Sequence, residues 1–226
     1  MKNVVIFGAG VFARVAHFYF CADSPNQVVA FTVHDRFITE KTFRGLDVIP
    51  FEMIEKAYPP DRYAMFVAIG YRKVNKVRAA VYNQCKTKGY ELVTYINSQN
   101  NYWKDLEIGD NCFVFDNNVI HPFVKIGNNV VVGSGNQIGH DSIVGDHCYI
   151  AAHAVITGGV RIGPYCFIGA NATFRDGVTV APECIIGAGA VILKDTVERG
   201  VYVASNTEQA AVDSDTIGDL CRRSGL

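Results

Sequence analysis

The sequence lacks three features that would each point to a particular class of protein. It has no excess of charge, since 21 Lys and Arg residues stand against 22 Asp and Glu residues, whereas nucleic-acid-binding proteins normally carry a basic excess. It has no apolar run of about 18 residues, the length that a membrane-spanning helix requires. The first residues, "MKNVVIFGAG", lack the cleavage region of a signal peptide. We therefore expect a cytoplasmic protein with no nucleic-acid partner and no membrane partner.

Paired cysteine motifs are also missing. The seven cysteines form no CxxC pattern, so neither a zinc site nor a disulfide framework is predicted. Four of them instead follow a regular 18-residue ladder, at Cys112, Cys148, Cys166 and Cys184. We predict buried free thiols that act as small hydrophobic side chains.

A six-residue repeat dominates the second half of the sequence. Every sixth residue from Ile108 to Ile192 is apolar, in fifteen consecutive positions of which fourteen are Ile or Val. This period fits neither a helix nor a strand, so it indicates a supersecondary unit. Three six-residue segments make a triangular coil, and stacked coils pair their backbones at about 4.8 Å. The sequence predicts a parallel β-helix of about five coils over residues 96–203, followed by a tail over 204–226.

The residues that follow each aliphatic position are expected at the surface of this helix. Glycine often comes next, as at Gly139, where we expect it to serve a tight corner. His140 and Asp141 follow, and the core does not need them. From position alone, they are either an acid/base pair or a solvated histidine beside a turn-capping Asp–Ser pair.

Residues 1–95 follow a different pattern, in which short apolar strands alternate with helical segments. Strands are predicted at "NVVIF", "QVVAFTV" and "YAMFVAI", and helices at "VFARVAHFYF" and "RKVNKVRAAVYNQCKTKG". This alternation predicts a Rossmann-like α/β domain with a parallel sheet.

A glycine-rich turn follows the first strand of this domain. It would let backbone N–H groups at a helix start approach a phosphate, of a nucleotide sugar or of NAD; the alternative is a tight turn that any such sheet needs. An acidic residue also follows the second strand, near where a ribose-binding acid would sit. The candidate substrate-binding residues are Gly8, Gly10, Val11, Phe12, Ala13 and Asp35.

The combination of "FGAGVFARV", the unbroken repeat and "IGHD" resembles the bacterial sugar O- and N-acyltransferases. That family includes sialic-acid O-acetyltransferases and UDP-4-amino-sugar N-acetyltransferases of the bacillosamine pathway, and the resemblance covers roughly residues 1–203. It implies a left-handed β-helix, a homotrimer, and acetyl-CoA bound along the helix between two subunits. The first domain would hold a nucleotide sugar, and the thioester chemistry would need no metal.

The resemblance also implies roles for particular residues. His140 matches the general base, Asp141 the acid that orients it, and Gly158 the backbone N–H that stabilises the oxyanion. An imidazole with its ordinary pKa of about 6.5 can accept a proton at neutral pH, which contributes roughly 10²–10⁴-fold. The implied reaction transfers an acetyl group to the amino group of a nucleotide-linked deoxyamino sugar in surface-glycan biosynthesis.

The chain departs from the family pattern at three places. Bacillosamine-type relatives have a second histidine nine residues after the base, near the acyl group, where this chain has Tyr149. Four residues later, His153 stands where many relatives have glycine. It could replace that imidazole, or be the base itself, or be a solvated turn residue. The closing "G-x-P-A-K" segment is absent, so the sugar acceptor and the acyl donor (acetyl, formyl or longer) stay open.

Three other functions stay open on the sequence alone. O-acetylation of sialic acid or a related sugar hydroxyl is the first alternative. The second is a non-catalytic trimeric nucleotide-binding protein, because a solenoid needs its faces covered whether or not it catalyses. The third is a zinc-dependent carbonic anhydrase, for which the repeat offers His121, His140, His147 and His153. The spacing places the last two on different faces and predicts no ligand cluster.

Overall fold

The computed structural model describes residues 2–215; residues 216–226 of the predicted tail lie outside the described residues. The first domain contains a five-stranded sheet and three α-helices. The strands are β1 (Asn3–Phe7), β2 (Gln27–Val33), β3 (Thr42–Phe43), β4 (Leu46–Pro50) and β5 (Tyr63–Val67). The helices are α1 (Val11–Asp23), α2 (Ile54–Ala57) and α3 (Lys76–Thr87), with short 3-10 turns at Asp35–Phe37 and Phe51–Met53. The strand order is β3-β4-β2-β1-β5, in which β3 and β4 pair antiparallel and the other pairs run parallel.

Helices cover both faces of this sheet, which explains why the central strand, β1, buries apolar side chains on both of its faces. Val4 and Ile6 pack in the cluster that contains Phe20 of α1. Val5 and Phe7 point the other way, into the cluster that contains α3. The α/β prediction for this domain is confirmed.

The second domain is a β-helix built from two-residue strands. From β6 to β21 each strand pairs in parallel with the strand 18 residues away, as Lys125 does with Ile143, and β22 pairs with β20 at a separation of 16 residues. The strands are β6 (Tyr95–Ile96), β7 (Glu107–Ile108), β8 (Phe113–Val114), β9 (Val119–Ile120), β10 (Lys125–Ile126), β11 (Val131–Val132), β12 (Gln137–Ile138), β13 (Ile143–Val144), β14 (Tyr149–Ile150), β15 (Val155–Ile156), β16 (Arg161–Ile162), β17 (Phe167–Ile168), β18 (Thr173–Phe174), β19 (Thr179–Val180), β20 (Ile185–Ile186), β21 (Val191–Ile192) and β22 (Val201–Tyr202).

These strands form the three flat faces of the solenoid. Face 1 contains β7, β10, β13, β16 and β19; face 2 contains β6, β8, β11, β14, β17, β20 and β22; face 3 contains β9, β12, β15, β18 and β21. Each corner is named by the two faces that it joins. The predicted aliphatic positions fill the interior, so the left-handed parallel β-helix fold is confirmed.

The buried cysteines of the ladder behave as predicted. Cys112, Cys148, Cys166 and Cys184 are free thiols in the core. Their Sγ atoms lie 3.1–3.2 Å from carbonyl oxygens fifteen or thirteen residues later, at Gly127, Gly163, Ala181 and Val197. Burial raises the pKa of Cys112 to about 12.

The prediction that the repeat glycines form the tight corners is wrong. The left-handed corner residue lies three positions after each inward aliphatic, and there Asp141 has φ 59° and His153 has φ 60°. Glycine directly after the aliphatic is needed for close stacking instead. A Cβ on Gly139 would lie 2.5 Å from the carbonyl carbon of Thr157 in the next coil.

The first domain docks on face 2 and on the corner between faces 1 and 2. Phe113 of face 2 lies in the same buried cluster as Phe20 of α1. At the corner, Arg78 of α3 is fully buried and donates hydrogen bonds to the carbonyls of His147 and Cys148 at 3.0 Å. The first domain is therefore held to one side of the β-helix, and the corner between faces 3 and 1 lies opposite.

Candidate active site

His140 and Asp141 form an exposed pair on the corner between faces 3 and 1. The repeat places them at the turn after β12, and Asp141 takes the left-handed conformation that Asp tolerates better than most residues. His140 Nδ1 lies 2.8 Å from Asp141 Oδ2, and their side chains are 65% and 63% exposed. The predicted surface location is confirmed, and Asp141 contacts the histidine.

The carboxylate determines which histidine nitrogen is available. A carboxylate accepts hydrogen bonds, so in the neutral imidazole the tautomer that fits this contact has the proton on His140 Nδ1 and the lone pair on Nε2. Nε2 faces Gly158, which stacks 18 residues above; a Cβ on Gly158 would lie 2.7 Å from it. His140 Nε2 thus faces a position in the next coil that has no side chain.

The backbone N–H of Gly158 is not free in this structure. It donates to Oδ1 of Asp176, one further coil along, at 2.9 Å. The neighbouring Gly159 N–H donates to the carbonyl of His140 at 2.8 Å. An oxyanion role for Gly158 therefore requires Asp176 to release this donor.

The structure separates His140 from the other two catalytic candidates within one chain. His153 lies on the corner between faces 2 and 3, where its ring covers Gly135. Tyr149 lies on face 2, beside Tyr71 and Phe167. This separation follows from the repeat, because only residues 18 positions apart stack on one another, whereas His153 and Tyr149 lie thirteen and nine positions after His140.

His147 is a structural residue at the domain junction. It is only 8% exposed and lies between the rings of Tyr82 and Tyr165. Its location differs from that of His153, as the phases predict. Within residues 2–215, no group of three or more His, Cys, Asp or Glu side chains is arranged to hold a metal ion.

The glycine-rich turn stands at the carboxyl edge of the first sheet. Gly8 has φ 135°, and a Cβ there would lie 2.8 Å from the carbonyl oxygen of Ala68, so the turn after β1 and the loop after β5 are in contact. Gly10 caps α1 without a side-chain hydrogen bond. In the described part of the chain, no acceptor binds the N–H groups of Val11, Phe12 and Ala13.

The side chains of this turn divide their roles. Val11 is 73% exposed, whereas Ala13 is buried. The ring of Phe12 packs against Phe113 at 5.5 Å between centroids, so it serves the domain interface. The turn therefore offers a ligand its backbone more than its side chains.

A small cavity beside this turn was missed by the sequence reasoning. It has a volume of about 150 Å³ and is lined by Ala9, Val33, Val48 and the segment from 37 to 43. That segment, "FITEKTF", has no motif that could have indicated it. Asp35 lies just before it, and its backbone N–H donates to Glu52 Oε2 at 3.0 Å. The hydrogen bond from His34 lowers the pKa of the Glu52 carboxyl.

Family comparisons match both domains. Residues 3–85 match the PglD N-terminal domain. Residues 105–139, 126–158 and 159–194 match the bacterial transferase hexapeptide repeat. A search of curated proteins by sequence finds no match.

Several solved structures share the whole two-domain fold. PerB from Caulobacter crescentus, solved with CoA and GDP-perosamine, is 24% identical with a TM-score of 0.77, over 89% of this chain and 93% of that one. The acetyltransferase domain of PglB from Neisseria gonorrhoeae is 23% identical with a TM-score of 0.77, over 89% and 96%. WeeI from Acinetobacter baumannii is 20% identical with a TM-score of 0.75, over 89% and 96%.

The class that the fold and the two domain matches define is the hexapeptide-repeat transferases. In this chain the hexapeptide repeat follows a segment that matches the PglD N-terminal domain. The resemblance drawn from "FGAGVFARV" and "IGHD" is thereby confirmed. None of the helices in residues 2–215 has the length and apolar character that a membrane span requires.

Proposed function

We propose that this protein transfers an acetyl group from acetyl-CoA to the amino group of a nucleotide-linked deoxyamino sugar. The observation that carries the proposal is the exposed His140–Asp141 pair, whose free nitrogen faces Gly158. Solved structures of the same fold support it, because PerB holds CoA and GDP-perosamine and the PglB domain holds acetyl coenzyme A.

His140 would act as the general base of this reaction. The sugar amine attacks the thioester carbonyl carbon and forms the C–N bond, while Nε2 takes the amine proton. The C–S bond then breaks, and the proton passes to the departing CoA sulfur. Asp141 holds the tautomer and stabilises the imidazolium that forms.

The first domain would bind the nucleotide diphosphate of the acceptor. Free N–H groups at the start of α1 form an anion-binding site. Three exposed cations stand at the same edge of the sheet: Arg14 in the first turn of α1, and Arg72 and Lys73 after β5. Within the described residues, none of the three forms an ion pair. The cavity beside Ala9 would admit part of the nucleoside.

A complete site would need more than one copy of the chain. The first domain covers face 2 and the corner between faces 1 and 2, whereas His140 lies on the opposite corner. In the homotrimer that we propose, the His140 corner of one subunit meets the first domain of the next. The enzyme would work in the cytoplasm, where acetyl-CoA and nucleotide sugars are available.

The proposal can be tested by measuring thiol release from acetyl-CoA. The acceptors would be UDP-, dTDP- and GDP-linked 3-amino and 4-amino deoxysugars, with free sialic acid in parallel. We expect turnover on one class of amino sugar, with an amide product detected by mass spectrometry. Turnover on sialic acid alone would replace the proposal with O-acetylation. No turnover from a protein that binds acetyl-CoA would refute the acceptor class, and absence of CoA binding would favour a non-catalytic protein.

A further inference from the structure

Three aromatic side chains form a surface at the junction of the two domains. The Tyr71 ring lies 5.0 Å from that of Tyr149 and 4.8 Å from that of Phe167, between centroids. Tyr149 and Phe167 point outward from neighbouring strands of face 2. Tyr71 is 54% exposed. We call these three residues the aromatic shelf.

The loop that carries Tyr71 has an unusual backbone. Three consecutive residues after it, Lys73, Val74 and Asn75, have φ values of 50°, 51° and 64°. None is glycine, and Val74 is β-branched, so this conformation costs free energy. Such strain persists only where the surrounding structure fixes it, and it concentrates at functional sites.

Buried polar contacts fix this loop to the β-helix. Arg78 donates hydrogen bonds to the carbonyl of Gly70 at 3.1 Å and to Oδ1 of Asn75 at 3.0 Å. It therefore binds both ends of the loop. Asn75 is itself buried and donates to the carbonyl of Cys166 at 3.0 Å. The position of Tyr71 is therefore set by both domains together.

The aromatic shelf adjoins the proposed acceptor site, because Tyr149 packs against the same buried cluster as Ala9 and Phe12 of the glycine-rich turn. The Tyr71 loop follows β5, whose end contacts the Gly8 turn through Ala68. Neither the Tyr71 hydroxyl nor the Tyr149 hydroxyl forms a hydrogen bond within residues 2–215. The shelf thus offers apolar ring faces and two unused hydroxyl groups beside the turn.

We infer that the aromatic shelf positions the deoxysugar ring of the acceptor, and that Tyr71 determines the preference for a deoxysugar. This inference rests on the proposed function. A sugar ring presents a face of C–H groups, and loss of a hydroxyl makes that face more apolar. Burying it against the negative face of an aromatic ring is favourable. A fully hydroxylated sugar would lose hydration there without an equivalent gain.

Calorimetric binding separates this inference from the proposed function. Wild type, Tyr71→Ala, Tyr71→Phe and the control Tyr102→Ala, another partly exposed tyrosine, would each be titrated with a nucleoside diphosphate and with its deoxyamino-sugar derivative. Tyr71→Ala should weaken the sugar derivative about 10-fold and leave the nucleoside diphosphate unchanged. Tyr71→Phe should stay within about 3-fold of wild type, because it keeps the ring.

The outcomes are distinct. If wild type binds no nucleotide sugar at all, the proposed function fails. If wild type binds it and Tyr71→Ala binds it equally well, the aromatic shelf is not part of the site, although the proposed function stands. Equal weakening of the nucleoside diphosphate and the sugar derivative would also overturn the inference, since Tyr71 would then hold the loop and not the sugar. Where turnover is measurable, the KM for the acceptor should rise and the KM for acetyl-CoA should not.

Discussion

At the scale of single residues, chemistry depends on what stacks above a side chain. His140 is exposed and has one polar side-chain partner in the described structure, Asp141. Glycine at position 158 leaves the space that Nε2 of His140 occupies, because a Cβ there would lie 2.7 Å from this nitrogen. The 18-residue period places 158 directly above 140, so this contact could have been read from the sequence once the coil was known. The bond between the Gly158 N–H and Asp176 could not, since side-chain rotamers do not follow from spacing.

A Gly158→Ala substitution should move the imidazole without unfolding the coil. The new Cβ would lie 2.7 Å from His140 Nε2, and the backbone φ of residue 158 is not in the left-handed region. We expect turnover to fall at least about 10-fold while the Tm changes by only a few degrees. Steady-state kinetics and thermal melts measure the two effects. His153→Ala serves as the comparison, and a larger loss of turnover in that variant would transfer the base to His153.

At the scale of elements, the repeat was predictable and the first domain only partly so. Each strand from β7 to β21 needs an inward apolar residue at the same position, so the six-residue pattern predicts all fifteen of them. The β3–β4 hairpin was missed because its two turn residues, Arg44 and Gly45, have φ values of 55° and 81°. Asn-Gly or Asp-Gly normally signals such a turn, and arginine at the first position hides it.

One corner of the β-helix contains a hydrogen-bonded ladder whose direction is fixed by a backbone group. The Val67 N–H donates to Asn111 Oδ1 at 2.7 Å. Asn111 Nδ2 therefore donates to Asn129 Oδ1 at 2.8 Å, and Asn129 Nδ2 donates to His147 Nδ1 at 2.9 Å. His147 must accept through Nδ1, so the ladder requires a neutral imidazole.

This ladder predicts a pH-dependent stability. Burial, and secondarily Arg78, lower the pKa of His147, against opposing contributions from Asp146 and Asp110. Below about pH 6.5 the unfolded histidine takes a proton that the folded one does not. The free energy of unfolding should therefore fall as the pH drops below that value, by at most about 1.4 kcal/mol per pH unit from this group.

Urea unfolding at several pH values between 7.5 and 5.5 tests this expectation. A His147→Gln variant keeps an acceptor but cannot titrate, so its stability should fall less steeply than that of wild type. Both proteins share the same carboxyl groups and His17, whose pKa is also lowered by burial. The contribution of these groups to the pH dependence of stability therefore cancels in the comparison. Parallel curves for the two proteins would show that His147 does not contribute.

At the scale of the whole molecule, one buried arginine joins the two domains. The sequence predicts the helix that carries Arg78, but not its insertion into the β-helix, because its partners there lie 51 to 70 residues away. Burial lowers the pKa of Arg78 to about 10, so it stays charged at neutral pH. Five carbonyl and amide oxygens, with no carboxylate in the described structure, solvate this charge: Gly70, Asn75, Asn129, His147 and Cys148.

Removing this contact should weaken the whole fold. Arg78→Met leaves buried carbonyl oxygens without donors, at a cost of about 1–3 kcal/mol each. We expect the free energy of unfolding in urea to fall by at least about 3 kcal/mol, with the first domain separating earlier. The exposed Arg72→Met is the matched control and should change stability by less than about 0.5 kcal/mol. Equal stability of the two variants would contradict the role assigned to Arg78.

Turnover of a His140→Asn variant decides whether His140 is the general base of acetyl transfer. Asparagine keeps the size and polarity of the side chain but cannot take the proton. We predict that this variant keeps the assembly state, melting behaviour and acetyl-CoA binding of wild type, and that its kcat is at least about 100-fold lower. A variant that binds acetyl-CoA normally and turns over at nearly the wild-type rate would contradict it.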